Sequence, residues 1–344
     1  MREPEAPDLL TEFDQAGEIE QLRASNVRLQ RQLVAAKSRT ADLIDAVERA
    51  AKEAAVIVGR PKVVAPAKDK RTKGAEVALV HATDWQIGKL SETYSTDIGR
   101  ERIELFASKV LRLTEIQRAD HPVKDCHLLA GGDMLEGVSI FPGQPFEIDS
   151  TLYEQVFATA GILETLVRTL AANFEHLDVT TEFGNHGRLS SRASGDYPAH
   201  DNADLMIYRI VADRTRDLPN VTWHISTNWY NLAVIGNYRA LLVHGDEFKS
   251  FGGNTPAFGI ARKVNSWASG VVEPFEDCYI GHFHQSLVVP LARGNGRAFL
   301  TPSPESGNEY AREFMAATGT PGQRMHFVDP ERGRVSAEYL VWLD

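Results

Sequence analysis

Five short polar clusters recur along the chain, and each follows directly after a β-branched or otherwise apolar run of strand length. In chain order the clusters are Asp84-Trp85-Gln86, Gly132-Asp133, Gly184-Asn185-His186, His244 and Gly281-His282-Phe283-His284. The strands predicted before them cover residues 76–81, 125–130, 177–183, 238–243 and 277–280. Because the carboxyl ends of parallel strands meet at one edge of an α/β sheet, where ligands bind, the five clusters are expected to build a single site.

Taken singly, each cluster is a weak signal. A Gly-Asp pair after an apolar run is more often a plain turn, and a His-x-His pair is more often part of a polar loop. The five together are more informative, because Asp, Asn and His are side chains that bind hard or borderline divalent cations. The clusters therefore predict one metal-binding site assembled from five separated parts of the chain.

The order of these clusters resembles that of the calcineurin-like metallophosphoesterases, whose pattern runs D-x-H, GD, GNH, H and GHxH. The matching stretch runs from Asp84 to His284. Longer strings at residues 84–89, 184–188 and 304–310 look similar to phage-encoded members that are often labelled exonuclease-like. The resemblance implies an α/β fold with four layers, an α-β-β-α sandwich, over residues 76–344.

The resemblance also implies a ligand set for two divalent metal ions. The first ion would be bound by Asp84, Gln86, Asp133 and His284, and the second by Asp133, Asn185, His244 and His282. His186 would face the substrate without being a ligand. In such sites a hydroxide between the two ions attacks phosphorus in line, and His186 would stabilise or protonate the leaving group.

Gln86 departs from the family pattern, because most members have His at this position. An amide oxygen is a harder ligand than an imidazole nitrogen, so the exchange favours manganese or magnesium over zinc. Mn²⁺ is the predicted metal, with Mg²⁺, Fe²⁺ and Zn²⁺ as alternatives. The other interpretation is that Gln86 leaves the first site weak or empty.

The segments between the clusters predict the rest of the fold. Apolar residues recur with a helical period over residues 96–118, 150–173, 201–216 and 255–269. After Pro219 the chain changes to short apolar runs separated by Gly, Pro or Asn, which are typical of strands. This combination indicates two facing sheets flanked by helices.

Composition predicts a soluble cytoplasmic protein without a membrane partner. With 344 residues, of which 43% are hydrophobic and 24% charged, the chain can bury a substantial core. No apolar stretch approaches the length of a membrane span. The first residues are acidic and do not form a basic and apolar leader.

The N-terminal part of the chain follows a separate pattern. Residues 1–14 are expected to be disordered. A heptad with Leu22 and Leu29 at one core position and Asn26 at the other predicts a coiled-coil helix over residues 15–56. Since a polar Asn at this position favours a parallel dimer, we expect a homo-oligomer formed through this helix. The alternative is a single amphipathic helix packed on its own domain.

The linker predicted over residues 57–75 contains prolines and concentrates positive charge. Its net charge is +5, against −3 for residues 1–56 and −12 for residues 76–344. A basic segment beside the site can track a nucleic-acid backbone, although such runs are often only solvated linkers. The acidity of the domain argues against a protein that coats DNA, since such proteins present a positive domain.

Three functional classes remain open. A nuclease acting on DNA or RNA is favoured by the exonuclease-like strings, the basic linker and the dimerising helix. A small-molecule phosphodiesterase or nucleotide pyrophosphatase is favoured by Gln86 and the acidic domain. A scaffold acting through the coiled coil is disfavoured by His186, which a structural metal site does not need. Arg188 either binds a substrate phosphate through its planar guanidinium or only forms a surface salt bridge.

Overall fold

The computed structural model describes residues 63–64, 66–189, 200–248, 257–292, 294–305 and 320–344. The predicted disordered N-terminus, the predicted coiled-coil helix and the start of the predicted linker lie outside the described residues. The dimer expected through residues 15–56 therefore stays a prediction. In the parts that the structure describes, no helix combines the length and the apolarity needed to cross a membrane.

The larger of two β-sheets has six strands. They are β1 (Glu76–Ala82), β2 (Val123–Ala130), β3 (His176–Thr181), β4 (Val221–Ile225), β10 (Gly322–Asp329) and β11 (Arg334–Trp342). Their order across the sheet is β11-β10-β1-β2-β3-β4. The strands β1 to β4 run parallel, whereas β10 pairs antiparallel with β1 and β11 with β10. The carboxyl ends of β1, β2 and β3 therefore lie at one edge of this sheet.

The smaller sheet has five strands. They are β5 (Asn231–Ile235), β6 (Tyr238–Val243), β7 (Asp277–Ile280), β8 (Leu287–Pro290) and β9 (Arg297–Leu300), in the order β5-β6-β7-β9-β8. The central strands β6, β7 and β9 are parallel, and the outer strands β5 and β8 are antiparallel to their neighbours. The loops after β6, β7 and β9 therefore leave the same edge of this sheet.

Four α-helices lie within the described residues, namely α1 (Thr96–Arg118), α2 (Leu152–Ala171), α3 (Ala203–Arg214) and α4 (Ala257–Trp267). The bounds of α1 are those predicted from its apolar period. Helices α2 and α3 are shorter than predicted at both ends. Thr151 forms a capping box with Glu154 at the start of α2, and the Asn202 side chain caps α3 by accepting from Asp204 N–H. Such caps satisfy amide groups that have no partner inside the helix.

The elements stack in the order helix, sheet, sheet, helix. Helices α1, α2 and α3 pack on the larger sheet, and α4 packs on the smaller one. Between the two sheets, Leu79 and Leu129 form one buried cluster with Ala240, Leu242 and Phe299. The predicted mixed α/β fold with two facing sheets is thereby confirmed.

The described end of the predicted linker contacts the domain. The Asp69 N–H donates to Glu175 Oε1 at 2.9 Å. The carboxylate of Asp69 pairs with the guanidinium of Arg71 at 2.7 Å, and this hydrogen-bonded partner lowers the pKa of Asp69 to about 2. Part of the positive charge of the linker is therefore already paired within the linker.

Phe299 gives a direct test of the core between the sheets. Its ring is fully buried and lies 5.3 Å from the Tyr279 ring and 4.6 Å from the His326 ring. We expect Phe299→Ala to lower the free energy of unfolding by about 3–5 kcal/mol, because truncating a buried Phe loses apolar burial and leaves a cavity. Equilibrium urea unfolding measures the change.

The matched control is Val234→Ala. Val234 is on β5 of the same sheet but is 59% exposed, and the expected change is below about 0.5 kcal/mol. Equal losses for the two variants would contradict the assignment of the inter-sheet core.

Candidate metal centre

The structure brings the seven predicted ligands to the edge that the two sheets share. The tightest group consists of Asp133, His244 and His282, whose ligand atoms all lie within 4.8 Å of one another. Asp133 Oδ2 is 2.9 Å from His244 Nε2, and the rings of His244 and His282 are 5.2 Å apart. Together with Asn185, these residues are the set expected to bind the second ion.

The set expected to bind the first ion lies directly beside it. Asp84 Oδ1 is 3.4 Å from His284 Nε2. The His282 N–H donates to both carboxylate oxygens of Asp84 at 2.9 Å. The Gln86 N–H donates to the carbonyl oxygen of Asp133 at 3.0 Å. The His282 amide and the Asp84 carboxylate therefore tie together the loops of the two sheets, and the Gln86–Asp133 bond ties together two loops of the larger sheet.

The backbone at the predicted ligands is unusual. In the described residues, positive φ at a non-glycine residue occurs only at Asp84 (54°), Gln86 (47°), Asp133 (50°), His282 (65°) and His284 (53°). Each such residue costs about 1–3 kcal/mol and persists only where its surroundings hold it. All five are predicted ligands, and such strain is concentrated at functional sites. Nothing in the sequence signalled this conformation.

Two ligand atoms are buried without a hydrogen-bond partner, namely Gln86 Oε1 and Asn185 Oδ1. A buried polar atom without a partner lowers the stability of the fold by about 1–3 kcal/mol, so it is expected to have a partner in the functional protein. Carboxylate oxygens, amide oxygens and imidazole nitrogens are together a donor set suited to divalent cations, and the residues present therefore fit the implied ions.

Without bound ions, protonated histidines balance the negative charge of the buried carboxylates in the centre. Burial raises the pKa of Asp84 and Asp133, but contacts with His284 and His244 oppose this and hold both below the usual value. Burial lowers the pKa of His244, yet the Asp133 carboxylate raises it well above the usual value. Since histidine binds metals in its neutral form, metal binding at this centre is expected to release protons.

His186 lies at the rim of the centre and is oriented by Glu136. Its Nδ1 is 2.8 Å from the Glu136 carbonyl oxygen and 3.3 Å from Glu136 Oε2. Its Nε2 is 3.3 Å from Gln86 Nε2 and 4.0 Å from Asp133 Oδ2. Burial lowers the pKa of His186, but the carboxylates of Asp133 and Glu136 raise it to about 9. The nitrogen that faces the predicted ligands is therefore Nε2.

Asp204 is a supporting residue that sequence reasoning missed. Its Oδ2 accepts from Asp133 N–H at 3.0 Å and from Gly184 N–H at 2.9 Å, and its Oδ1 accepts from Met134 N–H at 3.1 Å. One buried carboxylate in the first turn of α3 thus holds the loops after β2 and β3 together. Burial and the nearby Asp133 raise the pKa of Asp204 to about 6. An acidic residue in the first turn is common in helices, so the sequence does not mark this one as special.

A second missed residue, Glu305, lies behind His284. Glu305 Oε2 is 3.3 Å from His284 Nδ1, and Glu305 Oε1 is 3.1 Å from Lys89 Nζ. The side chains of Glu305 and Lys89 are 1% and 6% exposed, so this ion pair is closed to solvent. Because Glu305 contacts Nδ1, the other nitrogen of His284 faces Asp84. The only sequence signal for Glu305 was its position within the exonuclease-like string at residues 304–310.

Arg188 is paired in this structure. Its guanidinium contacts the carboxylate of Asp246, which follows His244 by two residues, and the two side chains are 30% and 20% exposed. Arg188 therefore lies between the loops after β3 and β6 with part of its surface open to solvent. Its role in substrate binding stays a prediction.

Comparison with known proteins yields structural neighbours only. No protein-family model and no curated protein matches the chain. Its fold is similar to the hypothetical protein PH1004 from Pyrococcus horikoshii OT3 (13% identity, 78% of this chain and 89% of that chain covered, TM-score 0.38). It is also similar to an archaeal phosphodiesterase (9% identity, 77% and 99% covered, TM-score 0.34) and to a zinc complex of Vps29 from Entamoeba histolytica (10% identity, 78% and 99% covered, TM-score 0.34).

The resemblance to the calcineurin-like metallophosphoesterases rests on the motifs and on where the structure places their residues.

Replacing Glu305 by Gln tests whether this residue orients a metal ligand. The change keeps the shape but removes the charge that holds His284 through Nδ1. We expect the affinity for Mn²⁺, measured by isothermal titration calorimetry, to fall by about 10–100-fold, as is typical when the residue supporting a ligating histidine is lost.

Glu101→Gln is the control, because Glu101 lies on the exposed face of α1. An unchanged Kd for Mn²⁺ in Glu305→Gln, with the fold intact by circular dichroism, would contradict this role of Glu305.

Proposed function

We propose that the protein is a metal-dependent phosphodiester hydrolase that acts on DNA or RNA. The observation that carries the proposal is the convergence of seven potential ligands on one sheet edge, five of them held in left-handed backbone. Two of the ligand atoms there, Gln86 Oε1 and Asn185 Oδ1, are buried and lack a partner. Backbone strain and unsatisfied buried polar atoms both destabilise a fold, so their concentration in one place indicates a functional site.

In this proposal the two ligand sets are those implied by the motifs. Asp84, Gln86, Asp133 and His284 would hold one divalent ion, and Asp133, Asn185, His244 and His282 would hold the other. When bound, the two ions supply positive charge that draws in the phosphate and a lowered pKa for the attacking water. Mn²⁺ is the proposed metal, because Gln86 offers an oxygen at a position where a nitrogen would favour zinc.

His186 is the proposed general acid. Glu136 contacts its Nδ1, so the ring cannot turn without breaking two contacts, and Nε2 is directed toward the ligands. From this position Nε2 donates a proton to the oxygen that leaves phosphorus, which is a typical role of a positioned histidine.

Polymeric substrate is supported by charge outside the domain. The linker carries a net charge of +5, although Arg71 is already paired with Asp69. Lys68, Lys70 and Lys73 of the linker are exposed and would contact a nucleic-acid backbone. A dimer through residues 15–56 belongs to the same proposal. The second candidate is a small-molecule phosphodiesterase or nucleotide pyrophosphatase, which the net charge of −12 on residues 76–344 favours. A scaffold acting through the coiled coil is the third.

Two variants separate catalysis from metal binding. His186→Ala is expected to lower kcat for Mn²⁺-dependent hydrolysis by about 100–10,000-fold while leaving the Kd for Mn²⁺ within about twofold, because His186 donates a proton and holds no ion. Asp133→Asn is expected to abolish both hydrolysis and binding of the second ion.

The assay compares labelled single- and double-stranded DNA, RNA, cyclic nucleotides and a chromogenic diester. His176→Ala is the control, because this histidine is exposed at the start of β3, far along the strand from the centre. Preference for cyclic or diphosphate nucleotides would favour the second candidate. A wild-type protein that binds Mn²⁺ but hydrolyses none of these substrates would contradict the proposed function and favour the scaffold.

A further inference from the structure

An aromatic side chain stands beside the proposed general acid. The ring of Phe141 lies 6.5 Å from the ring of His186, at an interplanar angle of 65°. Phe141 is 36% exposed, so part of its ring is open to whatever occupies the rim of the centre. It belongs to the long loop over residues 137–149, between the Gly132-Asp133 cluster and α2.

This loop is braced where it passes the centre. Gln144 is fully buried, accepts from Ile140 N–H at 2.7 Å and donates to the Glu136 carbonyl at 2.8 Å. Gln155 is also fully buried, and its Oε1 accepts from Gly137 N–H at 2.8 Å. Two buried amide side chains from within the loop and from α2 therefore set the path on either side of Phe141.

The same loop also fixes His186. A Cβ added to Gly137 would lie 2.3 Å from the His186 carbonyl oxygen, so the two backbones approach too closely for any side chain at this position. Glu136, which contacts His186 Nδ1, immediately precedes Gly137. The same loop therefore holds Phe141 beside His186, with the two rings 6.5 Å apart.

We propose that Phe141 is a stacking surface for a nucleobase attached to the phosphate that reaches the centre. The inference rests on the proposed function and narrows its substrate class to phosphodiesters that carry a base. Every nucleobase has a π-face, so a single aromatic ring gives affinity without demanding a particular sequence. Such an uncharged contact suits a domain whose residues 76–344 carry a net charge of −12, because that charge repels a phosphate backbone.

The test compares a single-stranded oligothymidylate with an abasic oligomer of the same length and backbone. Fluorescence anisotropy in Ca²⁺, with Mn²⁺ omitted to suppress turnover, gives Kd, and hydrolysis in Mn²⁺ gives kcat and KM. We expect Phe141→Ala to raise Kd and KM for oligothymidylate by about tenfold to a hundredfold, the range found when a base loses its aromatic partner. For the abasic oligomer, the Kd and KM of the same variant are expected to equal those of the wild type. The kcat is expected to change little.

Three further variants separate stacking from other roles of the ring. Phe141→Trp keeps a stacking face and is expected to retain wild-type affinity. Phe141→Leu keeps the apolar cover over His186 without a π-face and is expected to behave like Phe141→Ala. Phe146→Ala removes an aromatic side chain of the same loop that is 89% exposed, and no change is expected.

The inference is overturned if wild type and Phe141→Ala bind oligothymidylate equally, or if Phe141→Leu is indistinguishable from wild type, which would make the ring a cover for His186. These results leave hydrolysis by the wild type intact. Failure of the proposed function would look different, because the wild type would then hydrolyse neither oligomer, and binding of both would be equal and unaffected by Phe141→Ala.

Discussion

The contacts of one buried residue, Asp133, hold the candidate centre together. Its Oδ1 accepts from His186 N–H at 2.7 Å, and its Oδ2 lies 2.9 Å from His244 Nε2. Its own N–H donates to Asp204 at 3.0 Å, and its carbonyl oxygen accepts from Gln86 N–H at 3.0 Å. Loops after β1, β2, β3 and β6 therefore meet on this residue, and the edges of the two sheets are joined through it.

Without bound ions, this convergence of loops lowers the free energy of unfolding. Left-handed backbone at five ligands opposes folding by about 1–3 kcal/mol for each residue. The unpartnered buried atoms of Gln86 and Asn185 cost about 1–3 kcal/mol each as well. Packing between the sheets and the carboxylates of Asp204 and Glu305 hold the geometry in place. Divalent ions would satisfy the same atoms and offset the charge of Asp84 and Asp133, so ligation and stability are coupled at this centre.

The elements that the sequence predicted well are those with local signals. The apolar run before each cluster became a strand with a parallel neighbour, and the helical period over residues 96–118 matches α1. The five clusters also converge at one sheet edge, as the strand order predicts. Asp204 and Glu305 were missed because their contacts join residues far apart in sequence, and a helical or loop carboxylate has no distinguishing pattern. The left-handed conformation of Asp84 could not be predicted from the sequence either, since Asp adopts many backbone conformations.

The most direct test of the central claim is a crystal structure of the protein grown with Mn²⁺, with the ions located by anomalous scattering at the manganese edge. The account predicts two peaks about 3.5–4 Å apart, both within ligand distance of Asp133. One peak at His244 and His282 alone would mean that Gln86 does not support the first ion. Peaks elsewhere, or none in crystals that retain this fold, would contradict the assignment of the centre.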